Sequence, residues 1–262
     1  MQQTGNNPTA APILRIESNH IHLALPQNNT TDNSQQPTTY TCISLSIQAD
    51  GQLKQQLTDL LLKYEEPIVQ THQPLLVLID SPYILIPANE YDAQQAEQIY
   101  RYAVTDNNDP MAEPLYLHML STYVLFTVPK DISDVLQQHA PTVKYQPSAA
   151  PLWTHLRQQQ TANSPVTLYA YLHDDSLEVF AFNGTRFRFA NRFTAKHPND
   201  ILYYILFVWE QTGMNAEQDN LTLYGNIPQK EWLNDRLKTF LRHVHAHSDE
   251  TLYQFIGNTT NN

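Results

Sequence analysis

The sequence predicts an α/β protein made of two halves that repeat one order of elements. Two observations carry this expectation. Segments of strand-like alternation and helix-like periodicity follow one another along the chain. The order of three strands, an apolar helix and a further strand then occurs twice, the second time around the hairpin signal Asn183–Gly184.

Each element has a local reason. Residues 13–18 and 20–25 alternate as two strands around a tight turn at Asn19, and 40–48 alternate as a third. In that third strand Cys42, Ser44 and Ser46 share one face, and Ile43, Leu45 and Ile47 the other. The polar segment 1–11 and the low-complexity stretch 26–39 are expected to be frayed and mobile. Leu53, Leu57, Leu60, Leu61 and Tyr64 form one helical stripe. Residues 74–80 are a continuous apolar run that suits a fully buried strand. A strand at 83–87 is followed by a helix carrying Ala93, Ala96, Ile99, Tyr100 and Ala103, then a hairpin over 115–120 and 123–129. Asp131 or Ser133 would cap a short helix with Ile132, Val135 and Leu136. A helix over 147–160 has Pro151 in its first turn.

The second half reads as strands at 167–173, 177–182 and 185–193. A helix with Pro198 in its first turn ends before Gly213. That helix is apolar all round from Ile201 to Trp209, which predicts burial on most sides. A strand over 221–225 precedes a last helix from Pro228, with Trp232, Leu233, Leu237, Phe240, Leu241 and Val244 on one face. The expected halves are therefore 12–160, with an insertion at about 81–145, and 165–247, with a flexible tail over 248–262.

Composition narrows function. The 262 residues carry a net charge of −11, which argues against nucleic acid; a basic peptide or protein face suits it better, with solubility alone as the default reading. Cys42 is the only cysteine, so neither an internal disulfide nor a thiolate metal cluster can form. The N-terminus lacks the features of a secretory signal, and the longest apolar run, 201–209, is too short to span a bilayer. A cytoplasmic location is expected. Six glycines against seventeen prolines leave few places where backbone can approach a ligand closely.

The duplicated plan, with the segments "SPYILIPANEYDAQQAEQIYRY", "PSAAPLWTHL" and "DILYYILFVWEQTGMNAEQDNLTLYGNI", resembles a family of uncharacterised Bacteroidetes proteins. That family is similar in fold to the cytoplasmic actin-like domains of pilus-assembly and type II secretion proteins. The resemblance spans about residues 10–245. It implies a duplicated actin-like ATPase (ribonuclease H-like) fold, two halves around a central cleft, and carries no known activity with it. In working actin-like ATPases each three-strand meander has an acidic residue and a glycine-rich turn at the phosphates, and a glycine pair in the second half packs on adenosine.

Held against that pattern, "RIESNHIHLAL" places Glu17 near the acid but has Ser18, Asn19 and His20 where small residues belong. "YLHDDSLEV" offers Asp174 and Asp175 without glycine, and "LYGNIP" has Gly225 followed by Asn226. Glu17, Asp174, Asp175, Gly225 and Asn226 are thus the candidate cleft positions, read as vestigial. Asp174 and Asp175 also suit an ordinary solvated turn. The expectation is a non-catalytic adaptor or scaffold, without cofactor, that binds a protein or peptide partner. The alternative is a divergent ATPase or phosphotransferase using Mg–ATP, with Glu17, Asp174 and Asp175 around the ion.

His20–Ile21–His22 and the trio His243, His245, His247 invite a metal reading, since H-x-H on a strand puts two imidazoles on one face. The trio falls at an expected helix end, and no metal is assigned. No P-loop, G-x-S-x-G, H-E-x-x-H or C-x-x-C pattern occurs. Asp80–Ser81 reads as a turn before Pro82. Tyr169, Tyr171, Tyr203 and Tyr204 could serve a cleft or an interface, with core packing as the default.

Overall fold

Residues 10–27, 39–47, 52–104, 109–140 and 142–247 are described by a computed structural model. The expected frayed N-terminus, most of the 26–39 loop and the tail from 248 lie outside them. The chain divides into two compact units, one reaching Pro151 and the other starting at Leu152.

The first unit contains β1 (Ile13–Ile16), β2 (His20–Pro26), β3 (Tyr40–Ser46), α1 (Leu53–Lys63), α2 (Glu65–Gln70), β4 (Leu75–Ile79), β5 (Tyr83–Pro87), α3 (Ala96–Ala103), β6 (Leu115–Leu117), β7 (Thr122–Phe126), α4 (Lys130–His139) and β8 (Val143–Pro147). Its main sheet has the order β3-β2-β1-β4-β8. The meander pairs antiparallel, whereas β1, β4 and β8 run parallel. Parallel neighbours need a covered crossover, and α1 with α2 supplies it between β3 and β4. β5, β7 and β6 form a separate antiparallel sheet between β4 and β8 in sequence. α5 (Ala150–Gln159) begins at the unit boundary.

The second unit contains β9 (Thr167–His173), β10 (Ser176–Asn183), β11 (Arg186–Thr194), α6 (Pro198–Gln211), β12 (Asn220–Gly225), α7 (Lys230–Lys238) and β13 (His243–Ala246). Its sheet order is β11-β10-β9-β12-β13, with β9, β12 and β13 parallel. This repeats the first unit strand for strand. Mixed α/β architecture and internal duplication are therefore both present. Asn183–Gly184 turns the β10–β11 hairpin, with Gly184 at φ 53° as such a turn requires.

Burial follows the expected periodicities. α1 buries Leu57, Leu60 and Leu61, one helical face. Every residue of β4 is buried. In the second unit, Leu168, Ala170 and Leu172 of β9 and Leu177, Val179 and Ala181 of β10 meet Ile201, Ile205, Val208 and Trp209 of α6 and Leu233 and Leu237 of α7. Each large apolar side chain so buried contributes about 1.5–3 kcal/mol before entropy is counted.

Four local expectations need correcting. α6 is not buried on most sides: Tyr203 is 60% and Phe207 42% exposed, because the helix packs one face, with Ile201, Ile205, Val208 and Trp209, onto the sheet. α7 ends at Lys238, so Val244 belongs to β13 and Phe240 is exposed. α4 starts after Pro129, so neither Asp131 nor Ser133 is its cap; Asp131 sits in the first turn and the Ser133 hydroxyl donates to the Lys130 carbonyl at 3.0 Å. The trio His243, His245, His247 lies on and just after an edge strand rather than a helix end.

Candidate functional site

The first meander turn is organised by strand alternation. β1 places Arg15 opposite His22 of β2, and His22 opposite Ser44 of β3, so these three form a row on one sheet face. Glu17 follows Arg15 by two residues, and His20 precedes His22 by two, so both join that face. The other face carries Leu14, Ile16, Ile21 and Leu23, all buried. Within the turn the Glu17 amide donates to the His20 carbonyl at 2.9 Å, and the Ile47 amide to the Asn19 carbonyl at 2.7 Å.

Glu17 is only 7% exposed. One carboxylate oxygen, Oε1, is paired with the Arg15 guanidinium, and Oε2 lies 3.2 Å from Nε2 of His22. Nδ1 of His22 is 2.8 Å from the Ser44 hydroxyl. A carboxylate this buried needs such partners, since burial of an unpaired charge is costly.

The second meander carries a matching cluster. Glu178 on β10 is 2% exposed and pairs in register with Arg192 of β11. Oε1 of Glu178 is 3.9 Å from Arg192 Nε and 4.0 Å from His173 Nε2. Arg192 Nη2 donates to Ser176 Oγ at 2.8 Å. Each meander thus holds an arginine, a buried glutamate and histidine near its turn. Of these, Glu17 was a candidate cleft position and His22 belonged to a histidine pair with a metal-like pattern. The signal for Arg15 and Glu178 was present: each is a lone charge between two buried apolar residues, Leu14 and Ile16 or Leu177 and Val179.

The remaining candidates are accounted for locally. Asp174 adopts φ 44°, a left-handed conformation that aspartate tolerates, and is half-buried with Asp175. The Asp175 carbonyl accepts from the Ala195 amide at 2.8 Å, tying the turn to the end of β11. Gly225 has φ 88° and pairs with Leu172, where an added Cβ would collide with the Leu172 carbonyl oxygen. Its lack of a side chain therefore serves the close approach of β12 to β9. The exposed Asn226 donates its amide to the same carbonyl at 3.2 Å. Tyr169 and Tyr171 are buried, and Tyr169 stacks on Phe180 at 5.3 Å. Burial raises the Tyr169 phenol, while hydrogen bonds with Gln160 and Thr167 pull it down.

The first unit also has a cavity of about 600 Å³ at the carboxyl ends of parallel β1 and β4. Glu17, Asp80 and Asp131 line it with Lys54 as the one cation among the described residues that do, above a floor that includes Ile16, Leu57, Ile79 and Ile132. In open α/β sheets, ligands bind at such strand ends.

Two units with one topology, each with an acid at or beside its meander turn, define the class: this is an actin-like ATPase fold. A protein of unknown function with an actin-like ATPase fold from Bacteroides thetaiotaomicron is 18% identical, with 98% of this chain and 99% of that chain aligned at a TM-score of 0.84. The chain belongs to the family described as protein of unknown function (DUF3822), which matches residues 14–244. It is similar in fold to a chain of the PilM–PilN type IV pilus biogenesis complex (12% identity, 92% and 89% covered, TM-score 0.55). It is also similar to the cytoplasmic domain of EpsL, an inner membrane component of the type II secretion system of Vibrio cholerae (9% identity, 94% and 92% covered, TM-score 0.51). Among curated proteins, none matches the chain in sequence. Among the described residues no helix is long and apolar enough to cross a membrane.

Proposed function

We propose that this protein is a non-catalytic, cytoplasmic actin-like scaffold that binds a basic segment of a protein partner. The observation that carries the reading is the cavity at the ends of β1 and β4, where the carboxylates of Asp80 and Asp131 stand with Lys54 over an apolar floor. A lysine or arginine side chain fits such a site, its stem on the floor and its charge among carboxylates. Two further features support a binding role over hydrolysis. Glu17, which the actin-like resemblance puts near the phosphate-side acid, is engaged by Arg15 and His22. Gly225 is required by the β9–β12 contact itself. The complex of PilM with PilN, and the placing of EpsL in a secretion system, make a protein-binding role natural for this fold.

The test is fluorescence anisotropy of the full chain with short peptides graded in Lys and Arg content against an acidic set. Basic peptides should bind, more weakly as salt rises, and D131K should lower their affinity several-fold. Turnover of Mg–ATP, or thermal stabilisation by Mg–ATP that D174N/D175N abolishes, would instead favour the phosphotransferase.

A further inference from the structure

We infer that Glu17, His20 and His22 form a binding site for a divalent transition-metal ion of the zinc class, on the polar face of the first meander. One ligand atom from each of these residues lies within 4.8 Å of the other two. The pairing of β1 with β2 produces this arrangement: two histidines at i and i+2 share a face, and the turn returns Glu17 onto it. Two ligands held about 2.0–2.1 Å from a tetrahedral zinc are about 3.3 Å apart. Oε2 of Glu17 and Nε2 of His22 stand at 3.2 Å, already at that spacing. His20 is half-buried, its ring stacks on that of His22 at 5.7 Å, and one of its ring nitrogens already lies within 4.8 Å of the Glu17 and His22 ligand atoms.

Ser44 supplies the second argument. Metal-bound histidines are oriented by a hydrogen bond from the opposite ring nitrogen. Ser44 Oγ is 2.8 Å from Nδ1 of His22, the nitrogen that faces away from Glu17. When Nδ1–H donates to Ser44, a lone pair on Nε2 faces a carboxylate oxygen, and an ion between them resolves the repulsion. Binding therefore requires the Nδ1–H tautomer of His22, with Ser44 Oγ accepting that hydrogen. Arg15 takes Oε1 of Glu17, which orients the carboxylate and leaves Oε2 for the ion. Its charge makes the site weaker than a thiolate one. Three protein ligands leave a coordination position for water or a partner's side chain.

The experiment is calorimetric titration of the untagged full chain, stripped with chelator, with Zn²⁺ alone. Nitrogen-15 NMR of the histidine rings is recorded alongside. One ion per chain is expected, with His22 in the Nδ1–H tautomer when the ion is bound. H20A should weaken binding at least tenfold, and S44A by about 10–100-fold. The triple variant H243A/H245A/H247A should bind as wild type. Both test positions are at least partly exposed, and thermal melts confirm that the variants fold. No zinc binding, binding that survives H20A, or binding lost only in the triple variant would each overturn the site.

Discussion

Arg15 and Glu17 show how a single charge changes meaning with its surroundings. On an exposed strand the pair would contribute little, but both side chains are over nine-tenths buried. Removing one partner leaves an uncompensated charge, so E17A should cost about 3–5 kcal/mol in urea unfolding. The double variant R15M/E17L should cost less than that, because no charge is left behind. Tyr40 provides a pH signature. Burial pushes its phenol up to about 12. The native state then keeps a proton that the unfolded chain releases from about pH 10 upward. The stabilisation is complete below the unfolded value and is lost as pH rises through about 12. Y40F should therefore lose less stability between about pH 9 and 11 than wild type, read from urea midpoints. Glu17 became a candidate through the resemblance to the actin-like pattern, which places an acid near that turn. Its partners were not visible, since Arg15, His22 and Ser44 meet only through cross-strand register.

At the scale of elements, legibility followed the strength of the local signal. The buried strand β4, the stripe of α1 and the Asn183–Gly184 hairpin were readable because burial, periodicity and turn chemistry all act within a few residues. β8 and β13 were not. "VKYQP" and "HVHA" carry little strand propensity, and each is a strand because a parallel neighbour, β4 or β12, offers it hydrogen bonds. α6 misled for a related reason, since an all-round apolar helix can leave aromatics in water when one layer covers it. Two glycines separate conformational strain from crowding. Gly225 and Gly213 both have positive φ, but only at Gly225 would a Cβ meet backbone. G213A should cost about 1–2 kcal/mol from its dihedral alone. G225A adds overpacking of a further 1–3 kcal/mol or so, and should open the end of the β9–β12 ladder to hydrogen exchange. A G225A as mild as G213A would mean that β12 shifts freely.

For the molecule as a whole, the duplication was legible as an order of elements although the halves share little sequence. Topology repeats more faithfully than residues because many sequences satisfy the same pattern of burial. The functional reading was less legible. Acidic cavity, meander clusters and glycine use depend on which strand ends lie side by side, and that is a property of the sheet order rather than of any segment.

The repeated sheet order also bears on how the chain reaches its native state. In each unit the strand that opens the meander has one neighbour beside it in sequence and another far along the chain, as with Ile13 opposite Ala24 and Leu76. Distant pairings require a large loop to close before any contact rewards it, so they form late. The hairpins of β9, β10 and β11 should accordingly gain amide protection ahead of β12 and β13 in pulse-labelled refolding, and simultaneous protection would contradict this order. During synthesis the same geometry means that β1 emerges long before its parallel partner exists. Until β4 appears, one edge of the first meander stays open to pairing with other chains.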